Sequence, residues 1–166
     1  MSSAKRVLLF GGISLALLGM TYGLWYAVFA EHQAFDGIGV SLTNAFTAAA
    51  RGNQELSAEN LHQYRQAKYN YERQVDAHSH WVGLSMVLIV LGLGFDYVTF
   101  SAKQKLALAW ALLLGSLLFP LGVMLQTVNH GIAPKALAVA GSGLVVLGMA
   151  SAIAGVLRHT AEDQSI

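Results

Sequence analysis

Long apolar runs follow one another along the chain, separated by polar joints of which all but one are short. Windows of about 20 predominantly apolar residues, the length that crosses a hydrocarbon core of roughly 30 Å, fall at residues 7–30, 81–100, 106–128 and 136–157. A segment surrounded by lipid can satisfy its backbone hydrogen bonds only within itself, so each window predicts a helix. The joints "TFSAKQK" and "VNHGIAPK" are too short for anything but antiparallel neighbours. The pattern therefore predicts an all-α integral membrane four-helix up-down bundle, a single membrane domain of residues 1–166. The first window follows "MSSAKR", but it is longer than the apolar core of a secretory signal and ends in "WYAVFAEHQ", with no obvious cleavage site. It reads as a retained anchor.

The long joint, residues 32–80, is an outer helical segment in two parts divided at "RGNQELS". In the first part Ile38, Leu42, Ala45, Phe46 and Ala49 recur at helical spacing, which suits a helix lying on the membrane or folded over the mouth of the bundle. The second part opens at Ser57, a good N-cap with Glu59 in the first turn, and runs without Gly or Pro into the span at 81–100. Along this helix Leu61, Tyr64, Lys68, Tyr71, Val75, His78 and Val82 form one stripe, so His78 is expected to face inward. A second stripe holds His62, Gln66, Tyr69, Arg73, Asp76 and His80. His80 then points about 200° away from His78, and Asp76 sits one turn before it, where a carboxylate can orient an imidazole.

Composition narrows the chemistry. With 55% hydrophobic and 11% charged residues the chain is unlike a soluble domain, and a net charge of +1 gives no sign of a nucleic-acid partner. The absence of cysteine excludes disulfides, iron–sulfur clusters, thiolate metal sites and cysteine nucleophiles, leaving His, Asp, Glu and Met to hold any metal. Lys5, Arg6, Lys103, Lys105 and Arg158 lie on one side of the predicted bundle, and Arg51, Arg65, Lys68, Arg73 and Lys135 on the other. The first group is concentrated in short segments beside helix ends, where the positive-inside rule is read best. That favours a bacterial-type inner or plasma membrane with cytoplasmic termini. Gly19 and Gly23, Gly92, Gly115, Gly122, and Gly148 with Ala152 are expected points of close helix approach, and Pro120 is expected to kink its span.

The histidines are distributed unevenly. His32, His62, His78, His80 and His130 fall at the outer end of the predicted bundle, and only His159 lies at the other. Histidines from neighbouring spans at one depth are what a metal or haem site between helices requires. The alternative is ordinary: histidine suits a half-solvated interface, and His130 can interact with the last carbonyls of its helix.

The segment "AHSHWVGLSMVLIVLG" resembles the H-x-H-x-x-x-L-G start of a helix in the large subunit of haem-copper oxidases and nitric oxide reductases, and in small multi-span proteins related to them. In those families the histidines of this pattern ligate haem or metal, so the resemblance implies His78 and His80 as ligands. It covers sixteen residues, and the twelve-span oxidase body has no counterpart here, so terminal oxidase activity is not implied.

Three functions compete. The first is binding of b-type haem by His78 or His80 together with His32 or His130, for electron transfer or as an accessory of a respiratory complex. Gly83, Gly131, Trp81, Tyr26, Trp25, Phe29 and Phe35 would line the slot, and Arg73 or Lys135 would meet the propionates. The second is a copper or zinc site built from three of His32, His78, His80 and His130, with Asp36 or Asp76 as ligand or behind a ligand. The third is a non-catalytic assembly subunit whose outer helix, residues 57–77, uses Tyr64, Tyr69 and Tyr71 among Gln, Arg and Lys to bind a protein partner or a second copy. Ion transport is disfavoured because Asp96 alone is charged within the apolar interiors. Hydrolase motifs are absent, since helical geometry turns Ser79 away from both adjacent histidines, and the chain does not read as an independent enzyme.

Overall fold

The computed structural model describes residues 1–163, with side chains as far as His159. The described residues contain no strand. Helix α1 (Ser3–Phe29) is separated by a break at Ala30 alone from α2 (Glu31–Ala50). Helix α3 (Gln54–Gly94) runs for 41 residues and ends in a single 3-10 turn, Phe95–Tyr97. Helices α4 (Ala102–Leu125) and α5 (Ile132–Asp163) complete the order. Helices α1, α3, α4 and α5 are each long and apolar enough to cross a membrane.

The helix starts follow from local chemistry. Ser2 accepts a hydrogen bond from the Lys5 amide, and Ser101 forms a capping box with Gln104. Helix α3 starts earlier than Ser57. Gly52, at φ 74°, turns the chain, and the next residue, Asn53, caps the helix by accepting from the Leu56 amide at 3.0 Å. Ser57 is thereby left inside the helix, and its hydroxyl donates across to the Ala45 carbonyl of α2 at 3.0 Å. Pro120 is buried within α4, which continues to Leu125.

Close packing is built on glycine. Gly12 lies against Ser85 and Ile89, Gly19 against Trp81 and Val82, Gly23 against the His78 ring, and Gly92 against Leu8 and Leu9. Numbers rise along α1 as they fall along α3, so the two run antiparallel. Likewise Gly115 meets Gly141 and Leu144, Gly122 meets Pro134 and Ala138, and Gly148 meets Leu112, which sets α4 antiparallel to α5. At Gly115 and Gly122 a β-carbon would collide with the backbone of α5 and at Gly23 with the His78 ring, whereas at Gly12, Gly19, Gly92 and Gly148 it would press on the neighbouring helix. All the glycine contacts expected from the sequence are present. Leu8, Leu15, Trp81, Leu88, Phe95, Leu108 and Leu112 make the core between α1, α3 and α4. Helix α5 packs on α4 and on the 3-10 turn region, where Thr99 donates to the Gly155 carbonyl from its amide at 3.1 Å and its hydroxyl at 2.8 Å.

Large apolar side chains cover the outer faces: Phe10, Leu17 and Leu24 on α1, Met86, Val90 and Leu93 on α3, Val139, Leu147 and Ile153 on α5. So much exposed apolar surface suits lipid and would be a liability in water.

Helix α2 packs chiefly on α3. It turns back at Gly52 and packs antiparallel along the first half of α3, with Ser41, Ala45 and Ala48 buried and Asn60 buried opposite them. Its 20 residues make an arm of about 30 Å at 1.5 Å per residue. The apolar spacing of α2 was legible, but spacing alone does not say which neighbour the face will meet.

Candidate functional site

Contacts between α1, α3 and α4 fix the height of every side chain at the end where the arm leaves the bundle. Starting from the far end, Lys5 Nζ lies 2.6 Å from Asp96 Oδ2, and Lys105 Nζ donates to the Asp96 carbonyl at 3.4 Å. Higher up, Trp81 Nε1 donates to the Leu117 carbonyl at 3.3 Å, and the His80 ring lies 4.7 Å from that of Phe119. Higher again, Gln74 Nε2 donates to Thr127 Oγ1 at 3.2 Å, and the Tyr69 hydroxyl donates to Gln126 Oε1 at 3.2 Å. Along α3 the Trp81 level stands about four turns above the Asp96 end, and the Gln74 level about two turns above Trp81.

His78 and His80 point in different directions, as a helix demands of residues two apart. His78 is half-buried against α1, with Nδ1 2.9 Å from the Gly19 carbonyl. A carbonyl can only accept, so Nδ1 is the donor of this bond and Nε2 is left without a partner in it. The missing side chain of Gly23 provides the notch that the ring fills. His80 is exposed and turns towards α4.

The other candidates go elsewhere. The break at Ala30 carries His32 onto α2, where it is 88% exposed and its Nε2 lies 3.4 Å from Asp36 Oδ2 of the same helix. His130 follows α4 in the joint to α5 and stacks on Tyr69, centroids 6.0 Å apart. Asp76 leans towards Arg73 at 3.7 Å. Among the described residues no three His, Asp or Glu side chains gather where one metal ion could be held. The rings expected to line a haem slot are divided: Trp81 and Trp25 pack on Tyr22 at 5.4 and 6.0 Å, Tyr26 and Phe35 on Tyr71 at 6.4 and 4.8 Å, and Phe29 is exposed. Nothing lies within 4 Å of the place a Gly83 side chain would take, so this glycine faces out of the bundle.

The sequence reading missed a polar layer that joins three helices. The Tyr22 hydroxyl donates to Gln74, which donates to Thr127, while Tyr69 is tied to Gln126, whose side chain is buried. Each of these residues is unremarkable in its own segment, and only the pairing of α1, α3 and α4 makes them a network. Arg73 belongs to the same layer. Its guanidinium carbon is 5.1 Å from the Tyr69 ring centroid, and its Nε is buried with no hydrogen-bond partner, as is Asn70 Oδ1.

No protein-family model, no curated protein and no solved structure matches the chain.

Proposed function

We propose that the chain is a non-enzymatic assembly subunit: a four-span, up-down bundle in a bacterial-type plasma membrane, with the Lys5 and Lys105 end cytoplasmic and the α2–α3 arm outside as its working surface. The observation that carries this reading is the make-up of the arm. Between its two helices it buries small side chains, Ser41, Ala45 and Ala48, whereas Val40, Phe46 and Leu56 are 59%, 68% and 50% exposed. Large apolar side chains contribute about 1.5–3 kcal/mol each when fully buried, and here that contribution is not collected. A two-helix arm packed on alanine and serine is marginal by itself.

The occupant that fits is a second copy of the arm. Helix α2 carries Glu31 and Asp36 at the base and is followed by Arg51 at the tip, whereas α3 carries Glu55 and Glu59 near the tip and, towards the base, the basic Arg65, Lys68 and Arg73 with the acidic Glu72 and Asp76. The two gradients oppose each other, yet no Lys or Arg ion pair joins α2 to α3 among the described residues. Two parallel arms related by a twofold axis would set α2 of one copy beside α3 of the other, with opposite charges facing at both levels and the exposed apolar residues between them. The chain has no native cysteine, so Phe46→Cys gives a single-thiol test. Oxidation in native-like membranes is expected to yield a covalent dimer, with Val139→Cys on the outer face of α5 as the comparison. A monomer by light scattering, with no Phe46→Cys cross-link, would overturn the reading, and cross-linking to a different protein would replace the second copy.

One observation favours a second reading, binding of b-type haem. The Nδ1 bond to Gly19 is the outer-shell contact that orients a ligating imidazole and leaves Nε2 for iron. The residues as arranged fit the group only in part, because no second histidine opposes His78 and the surrounding rings are packed together. A Soret band in purified protein that disappears in His78→Ala would establish it; a colourless preparation would remove it. Copper or zinc would need three side chains converging on one ion, so we do not adopt that alternative.

A further inference from the structure

The base of the arm holds a groove of about 470 Å³ lined by His62, Arg65, Gln66, Tyr69 and His130. The lining includes no carboxylate. Arg73 stands against the Tyr69 ring, its Nε buried and unpaired, and His130 stacks on the same tyrosine. Arg65 and two imidazoles line the groove with no carboxylate among them, and behind Tyr69 the Arg73 guanidinium, 3.7 Å from Asp76 through a terminal nitrogen, keeps a buried Nε without a partner, an arrangement that favours an anion.

The height of the groove says which anion. Helix α4 rises about 1.5 Å per residue, so a hydrocarbon layer of about 30 Å beginning at Lys105 ends near Leu125. The headgroup layer occupies roughly the next 5–7 Å, the height of residues 126–130. Gln74, next to Arg73 on α3, is bonded to Thr127, and Tyr69, about one turn above, reaches Gln126 with its hydroxyl. Tyr69, Arg73 and His130 therefore stand where lipid phosphates lie, with Arg65 and His62 one and two turns above Tyr69.

We propose that this groove binds the phosphate of an anionic phospholipid headgroup, with Arg65 and His130 as its accessible contacts and Arg73 as the charge behind them. The proposal rests on the apolar helices crossing a bilayer and is independent of how the arm associates. Arg65 and His130 are exposed and make no contact with the core, so their removal is expected to leave the fold intact.

The test is native mass spectrometry of the full chain in detergent, titrated separately with dioleoyl phosphatidylglycerol, dioleoyl phosphatidylcholine and inorganic phosphate. The wild type is expected to retain one phosphatidylglycerol in preference to phosphatidylcholine, and the Arg65→Gln/His130→Gln variant to lose about tenfold in apparent affinity, given the contribution of each basic group near a membrane surface. Should the double variant misfold, Arg65→Gln alone is expected to show a smaller loss of the same kind. Inorganic phosphate competing at equal concentration would identify the ligand as a free phosphate at the same site, and failure to compete would identify the lipid. Equal retention of both lipids by wild type and variants, with no phosphate bound, would overturn the proposal.

Discussion

Helix α3 packs in two ways along its length, and the contrast explains much of the molecule. Below His78 it sets large side chains into glycine notches on α1, Trp81 and Val82 against Gly19 and His78 against Gly23, with α4 closing the third side. Above Tyr71 it faces α2 through small residues, and nothing covers the outer flank. In the lower half the outward faces are apolar enough for lipid, so a single well-fitted inner face would be enough. On the arm the same economy leaves Phe46 and Val40 exposed, and this is the observation behind the proposed association.

Substitutions can break this contrast. The largest effect is expected for Gly23→Leu or Trp81→Ala in the lower half. The first drives a side chain into the His78 ring and the second empties the core, each at a cost of about 3 kcal/mol or more. Thermal unfolding in detergent should show either variant losing cooperative folding or melting far below the wild type, and an unchanged midpoint would disprove the α1–α3 packing.

Glycines of the arm should behave in the opposite way. Gly37 and Gly39 lie within α2 with nothing in the way of a β-carbon, so Gly37→Ala/Gly39→Ala is expected to stabilise the arm by about 1 kcal/mol or slightly more. Slower hydrogen exchange across residues 31–50 would show it. Asn53→Ala removes the cap of α3 and should cost about 1 kcal/mol, seen as faster exchange at the tip, while Ser57→Ala should cost less because Asn53 holds the cap. The smallest effect belongs to Lys5→Gln. Its partner Asp96 is exposed, so the variant is expected to match wild type in stability at physiological salt.

What the sequence disclosed depends on the kind of information each feature needs. The four apolar windows, the uninterrupted run through His78 into the span, and the opposite facing of His78 and His80 are properties of one helix and were readable from period and length. The convergence of His32, His78, His80 and His130 was a statement about neighbours, and it turned on details that period does not carry. The break at Ala30 takes His32 onto the arm, and the helix order gives His78 to α1 and His80 to α4. Gln74, Thr127 and Gln126 escaped notice for the same reason, since a polar residue near a helix end declares a network only once its partner helix is known. The glycines were the exception. A glycine inside a span has few other uses, so its meaning survives without knowledge of the partner.

The two sides of the long hairpin differ mechanically. One side is jointed at Ala30, whereas α3 carries no glycine or proline from Gln54 to Val82 and passes from the tip of the arm into the bundle as one rod of about 62 Å. A load placed on the tip is therefore borne by α3 alone and delivered to the level of Trp81, where the rod is gripped by α1 and α4. The α1–α2 side is interrupted at Ala30 and offers no such continuous rod. The lever this rod makes ends at the level where the His80 ring faces Phe119 of α4.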